Sequence, residues 1–263
     1  MENKRKFALV TGASLGIGRA MAIELSKRNI DTLLIALDTP ELQQTRQFIA
    51  DNFTTRVDAF GTDLTRPEAA GKIFDWCRQN NYEVDILINN AGFGESGYFE
   101  NNSMERYSSM IELNMKAYVA MIHKFLPDMK RNGYGRIMNT SSMEAFLPSP
   151  YKSVYCATKN FVYAFSLSLS QEVKRFGIKM SILCPGSVIT NEGGMERIKA
   201  QGKKAELLVM MPDEVAEIAI RHMLEGMLII IPGKMNWWLS KIAKVVPSRI
   251  KVRIMERIYR AYV

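Results

Sequence analysis

The chain has 263 residues, 47% of them hydrophobic and 24% charged, with 17 glycines and 9 prolines. That composition excludes collagen-like, low-complexity and disulfide-scaffold proteins, and the length suits one large α/β domain able to bury roughly 75% of its unfolded surface. Cys77, Cys156 and Cys184 are far apart and form no CxxC pair, so buried thiols in a reducing compartment are expected, with no metal site.

The opening MENKRKFALVTG passes from basic residues straight into an apolar run with no h-region, so no signal peptide is expected and the cytoplasm is the expected compartment. Short apolar runs then alternate with longer amphipathic stretches. Strands are predicted at Phe7–Val10, Thr32–Ala36, Val57–Phe60, Ile86–Asn89, Ile137–Thr140, Met180–Leu183 and Leu228–Ile231. Helices are predicted at 17–29, 40–52, 66–80, 104–131, 152–176 and 212–225. This alternation predicts βαβ crossovers and a Rossmann-type, three-layer, doubly wound parallel sheet of about seven strands, filling residues 1–233. Ligands bind beyond the carboxyl ends of such strands, so the segments that follow them carry the chemistry.

The first is Thr11-Gly12-Ala13-Ser14-Leu15-Gly16-Ile17-Gly18, between the first strand and the first helix. Glycines there permit a tight turn and close backbone approach to a pyrophosphate seated on the helix N-terminus. The second is Asn89-Asn90-Ala91-Gly92, where small and amide residues at a strand end let a cofactor ring lie against the backbone; an Asx-type turn would use the same residues. The third is Tyr155-Cys156-Ala157-Thr158-Lys159, whose i, i+4 spacing puts a phenol and an ammonium on one helix face. A nearby cation is expected to lower the phenol pKa from about 10 and make Tyr155 a general acid/base for carbonyl–alcohol interconversion. Cys156 points elsewhere on the helix and reads as structural.

Taken in order, these motifs resemble the short-chain dehydrogenase/reductase family over roughly residues 6–232, through TGxxxGxG, NNAG, a serine after the fifth strand, YxxxK and a Pro-Gly pair. The resemblance implies that Tyr155 exchanges the proton with the substrate, that Lys159 holds the nicotinamide ribose, and that Ser142 orients the carbonyl oxygen. Ser141 stands one residue too far from the tyrosine. It further implies that Asn114 supports a proton-relay water, that Asp63 and Leu64 meet the adenine, and that Pro185, Gly186, Val188 and Thr190 hold the carboxamide. The implied cofactor is NADP(H) or NAD(H). Ala36, Leu37 and Leu15 occupy the positions that commonly discriminate the two, and Asp38 reads either as a ribose ligand or as a helix cap, so the preference stays open.

Phe93, Tyr98 and Phe99 after NNAG, and Met143, Phe146 and Leu147 after the serine, are expected to line an apolar substrate pocket. A glycine hinge opens residues 191–211, which read as a lid carrying Met195. The last segment, 234–263, carries seven of the eight net positive charges. It is expected to form basic amphipathic helices that lie on an anionic membrane, cover the site or join subunits. Concentration of the charge in that appendage argues against nucleic-acid binding. Apolar surface on 104–131 and 152–176 suggests a homodimer or homotetramer. The expected activity is NAD(P)(H)-dependent ketone–alcohol interconversion on an apolar or lipid-like substrate such as a 3-keto lipid. The alternatives are a soluble reductase of small polar ketones and a non-catalytic, cofactor-binding regulator.

Overall fold

The computed structural model describes residues 6–189 and 209–260. Seven parallel strands, β1 (Lys6–Thr11), β2 (Asp31–Ala36), β3 (Val57–Gly61), β4 (Glu83–Asn89), β5 (Gly135–Thr140), β6 (Ile178–Leu183) and β7 (Ile229–Ile230), stand in the order β3-β2-β1-β4-β5-β6-β7. The order reverses between β1 and β4, the place where a crevice opens beyond the strand ends.

Period-two burial separates the two faces of the sheet. On β1, Ala8 and Val10 meet α1 (Gly16–Lys27), α2 (Pro40–Asn52) and α7 (Pro212–Glu225). Phe7 and Leu9 meet α3 (Ala69–Gln79), α5 (Ala117–Asn132) and the end of α6 (Ser153–Lys174). Covering both faces explains why these strands read as continuous apolar runs rather than alternating ones. Each fully buried Leu or Ile, such as Leu9, Leu34 or Ile88, contributes roughly 1.5–3 kcal/mol relative to exposure.

The helix expected over 104–131 is broken. α4 (Met104–Ile111) passes through a π-helical turn at Glu112–Lys116 before α5 begins. The cause is tertiary: Asn114, fully buried in that turn, accepts from the Phe93 N–H (3.1 Å) and donates to the Phe93 carbonyl (2.9 Å) and to Thr158 Oγ1 (3.1 Å). Such turns cluster at functional sites. After β7, α8 (Lys234–Val245) and α9 (Ser248–Tyr259) return across the carboxyl edge of the sheet.

Candidate active site

The crevice is stapled together by backbone and small polar groups. Thr11 Oγ1 accepts from the Asn90 and Ala91 amides (2.9 and 3.1 Å), and the Asn90 amide group donates to the Thr11 carbonyl (3.2 Å). Behind it, Asn89 donates to Asn139 (2.9 Å), which donates to Ser166 (2.8 Å). These bonds satisfy most of the polar groups that the strand ends bury.

Glycines set the close approaches. Gly12 has φ +68°, a conformation that L side chains rarely adopt. A Cβ on Gly18 would lie 2.1 Å from the Gly12 carbonyl oxygen, so helix α1 rests on the turn that precedes it. The start of α1 has no side-chain cap and no acidic residue in its first turn. Its unpaired N–H groups, with Ser14, Leu15, Gly16 and Ile17, face a cavity of about 800 Å³. Uncapped, acid-free and glycine-lined, this end of the cavity fits the pyrophosphate of a dinucleotide.

Tyr155 and Lys159 rise from α6 into the same cavity. The Lys159 ammonium donates to the Thr140 carbonyl (2.9 Å) and lies 5.8 Å from the centre of the Tyr155 ring. The ring lies flat against Gly94, where a Cβ would come within 2.8 Å of it. Ser142 also lines the cavity, and its hydroxyl donates to Glu144 Oε2 (3.2 Å) while accepting from the Glu144 N–H (3.2 Å). Ser141 is spent elsewhere, donating to the Lys159 carbonyl at 2.7 Å. Cys156 is buried with its thiol 3.8 Å from the Ser149 carbonyl.

The expected lowering of the Tyr155 pKa is not what this geometry produces. Burial raises it, the Glu144 carboxylate raises it further, and the Ser142 hydrogen bond offsets only part. Burial also lowers Lys159, to about 8, against the opposing pull of Glu144. At neutral pH the site therefore presents a protonated phenol beside an ammonium, an arrangement ready to give a proton to a carbonyl oxygen.

The cavity gathers Gly12, Ser14, Leu15, Gly16 and Ile17 from the first motif, Asn90 to Phe93 from the second, and Pro185, Gly186 and Val188 after β6. Met143 and Leu147 join them, but Phe146 does not. It packs instead against Tyr163 (4.9 Å between ring centres), under the Lys244 ammonium, because the short helical turn after Ser142 rotates it into the core. Tyr98 and Phe99 likewise turn aside, onto Tyr151 and Tyr107. Gly18 and Asn114 sit behind the wall rather than in it. Asp63 is occupied by the Thr65 amide and hydroxyl (2.9 and 2.8 Å), and Leu64 is buried beneath it. Asp38 lies over Gly61, while Thr39, not Asp38, stands at the start of α2. Thr190, Met195 and the lid as far as 208 fall outside the described residues.

The outer wall gathers residues that no motif pointed to. Glu144 Oε1 accepts from the Lys152 ammonium (2.9 Å) and from the Tyr259 hydroxyl (3.3 Å), and the Lys152 ammonium sits 4.7 Å above the Tyr259 ring. Tyr259 and Met255 of α9, with Asn236 and Leu239 of α8, complete the cavity. Of the readings open for the tail, cover over the site is the one this packing realises. Glu144 and Lys152, two after Ser142 and three before Tyr155, carried a spacing signal; Tyr259, over a hundred residues away, carried none.

A profile described as short chain dehydrogenase matches residues 6–200. The chain is 30% identical over 186 residues to the D-beta-hydroxybutyrate dehydrogenase of Rhizobium meliloti, covering 70% of this chain and 72% of that one. Among solved structures it is similar to the bulky-bulky ketone specific alcohol dehydrogenase of Comamonas testosteroni. That likeness has TM-score 0.78 and 25% identity, and covers 92% and 93% of the two chains. It is also similar to a short-chain dehydrogenase of Sphingobium yanoikuyae in complex with NADPH, with TM-score 0.76 and 28% identity over 92% and 96% of the chains.

Proposed function

The chain belongs to the short chain dehydrogenase family and is an NAD(P)-dependent oxidoreductase acting on CH–OH groups; within that activity we propose that it interconverts a ketone and a secondary alcohol on an apolar or lipid-like molecule, such as a 3-keto lipid. The observation that carries this reading is the cavity lining, in which Met143, Leu147, Leu239 and Met255 join Ser142 and Tyr155. The similarity to an alcohol dehydrogenase specific for bulky ketones supports it.

In this reading the Gly12–Gly18 turn and the start of α1 hold the coenzyme's pyrophosphate. Lys159 holds the nicotinamide ribose, Asp38, Asp63 and Leu64 the adenine half, and Pro185 to Thr190 the carboxamide. The bound coenzyme supplies the hydride in reduction and takes it in oxidation. Tyr155 gives its phenolic proton to the carbonyl oxygen in reduction and recovers one in oxidation. Ser142 turns its hydroxyl from Glu144 to that oxygen. Asn114 acts by position, pinning Phe93 and Thr158 around the two reacting side chains.

A second reading, a reductase of small polar ketones, is favoured by the Glu144–Lys152 ion pair in the same wall and by the likeness to a hydroxybutyrate dehydrogenase. Oxidation of NADPH and of NADH, followed by absorbance with a long-chain 3-keto lipid and with a small soluble ketone, separates the two and fixes the coenzyme. Turnover of the small ketone alone would discard the lipid reading. We also propose a homodimer or homotetramer through the π turn, α5 and α6, where Met115, Val119, Ala120 and Phe161 line a shallow apolar groove. Light scattering of the purified chain tests it, and a monomer would refute it. Attachment through 234–263 to an anionic membrane surface, at its cytoplasmic face, completes the proposal.

A further inference from the structure

The outward side of α8 and α9 carries a pattern that the cavity does not use. On α9, Lys251, Met255 and Tyr259 recur every four residues and face inward. The Lys251 ammonium donates to the Phe146 and Ala243 carbonyls (3.3 and 3.0 Å), while Met255 and Tyr259 line the cavity. One step round the helix, Ile250, Ile254 and Ile258 form a half-exposed stripe. One step further stand Arg249, Arg253 and Arg257, all exposed. On α8, Asn236, Ser240 and Ala243 are buried. Met235, Trp238, Ile242 and Val245 project to solvent beside Lys234 and Lys241, Trp238 being 61% and Val245 81% exposed. Glu256, the only acidic residue from 234 to 260, is turned to Tyr151 and Arg260.

Exposed apolar side chains grouped in this way on two successive helices mark a docking site, and charge decides the occupant. In a two-fold contact with a second copy, the arginine stripe would face like charge. Lipid headgroups above hydrocarbon satisfy both stripes at once, anion for Arg and apolar for Ile and Trp. No described helix is long and apolar enough to cross a bilayer, so the helices would lie in the plane of the interface.

We propose that the outer face of α8–α9 docks on an anionic lipid bilayer, with Trp238, Ile242, Ile254 and Ile258 at headgroup depth and Arg249, Arg253 and Arg257 on lipid phosphates. Because Met255 and Tyr259 line the cavity from the inward side of α9, docking would place the bilayer against the far side of the helices that cover the cavity. Docking does not rest on the lipid-substrate reading.

Co-sedimentation of the full chain with vesicles tests docking directly. Binding is expected to phosphatidylglycerol-containing vesicles, to weaken at high salt, and to be absent with phosphatidylcholine alone. The triple variant Arg249→Gln/Arg253→Gln/Arg257→Gln should bind roughly 100-fold more weakly, since each interfacial cation contributes about fivefold. Tryptophan emission should shift to the blue on the anionic vesicles, and Trp238→Phe should remove most of that shift. Failure to sediment with anionic vesicles, equal binding by the triple variant, or a concentration-dependent dimer abolished by that variant would each overturn the proposal. Soluble-ketone turnover in wild-type protein without vesicles keeps the two questions apart. Turnover without vesicle binding removes docking alone, and binding without turnover of any ketone removes the proposed reaction alone.

Discussion

The floor of the site and its outer wall are built by different means. The floor consists of strand ends and helix starts whose backbones are held by the sheet, with Lys159, Asn114 and Thr140 buried and their polar atoms bonded. The wall consists of long side chains meeting from distant segments: Glu144, Lys152 and Tyr259, joined by two hydrogen bonds and one cation–ring contact. A floor set by backbone tolerates no added atom, while a wall set by side chains can give way. Under the proposed function, the floor would carry reaction and coenzyme, and the wall would carry substrate choice.

The largest effect expected is on the proton donor. Tyr155→Phe should lower ketone turnover by about 10³-fold while leaving coenzyme binding intact, as judged by nicotinamide fluorescence. A variant retaining a tenth of the activity would move the donor elsewhere. Next in size is Gly18→Ala, whose Cβ would meet the Gly12 carbonyl oxygen at 2.1 Å. It should cost about 3 kcal/mol and lower the melting midpoint by roughly 10 °C, with weaker coenzyme binding. A melt like that of wild type would show that the floor yields after all.

Coenzyme binding should also depend on pH. Lys159 is charged below its value of about 8 and neutral above it. The ammonium is the stronger hydrogen-bond donor to a ribose and the one attracted to phosphate. Coenzyme affinity should therefore stay level up to pH 8 and weaken about tenfold above it. A flat titration across that range would break the assignment of the ribose to Lys159. The smallest effect belongs to the wall. Tyr259→Phe removes one of the bonds to Glu144, about 1 kcal/mol, and should raise KM for a bulky ketone about fivefold without changing coenzyme affinity. An equal change in coenzyme affinity would erase the distinction between floor and wall.

Legibility in the sequence follows the same division. All seven strands lie where their apolar runs place them, because burial on both faces leaves an unbroken signature in the chain. The glycine turn, the NNAG segment and the Tyr155–Lys159 pair were readable because each is a local spacing set against a strand end or along one helix. The aromatic wall was less so. Phe93 does line the cavity, whereas Phe146 and Tyr98 found better partners in Tyr163 and Tyr151. The π turn at Asn114 also had no local signal, since its cause is the Phe93 backbone across the crevice.

The sequence by itself determined the strands, their alternation with helices in a layered sheet, and the three local motifs that meet at the reacting centre, since strand and helix periods act over a few residues. Tertiary structure alone decided the protonation of that centre. Spacing brings Lys159 beside Tyr155, but burial and the charge of Glu144 hold the phenol protonated and bring the lysine down to about 8. It also decided that a basic tail supplies one wall of the cavity. Glu144 and Tyr259 lie 115 residues apart, and only the packed fold brings them within 3.3 Å.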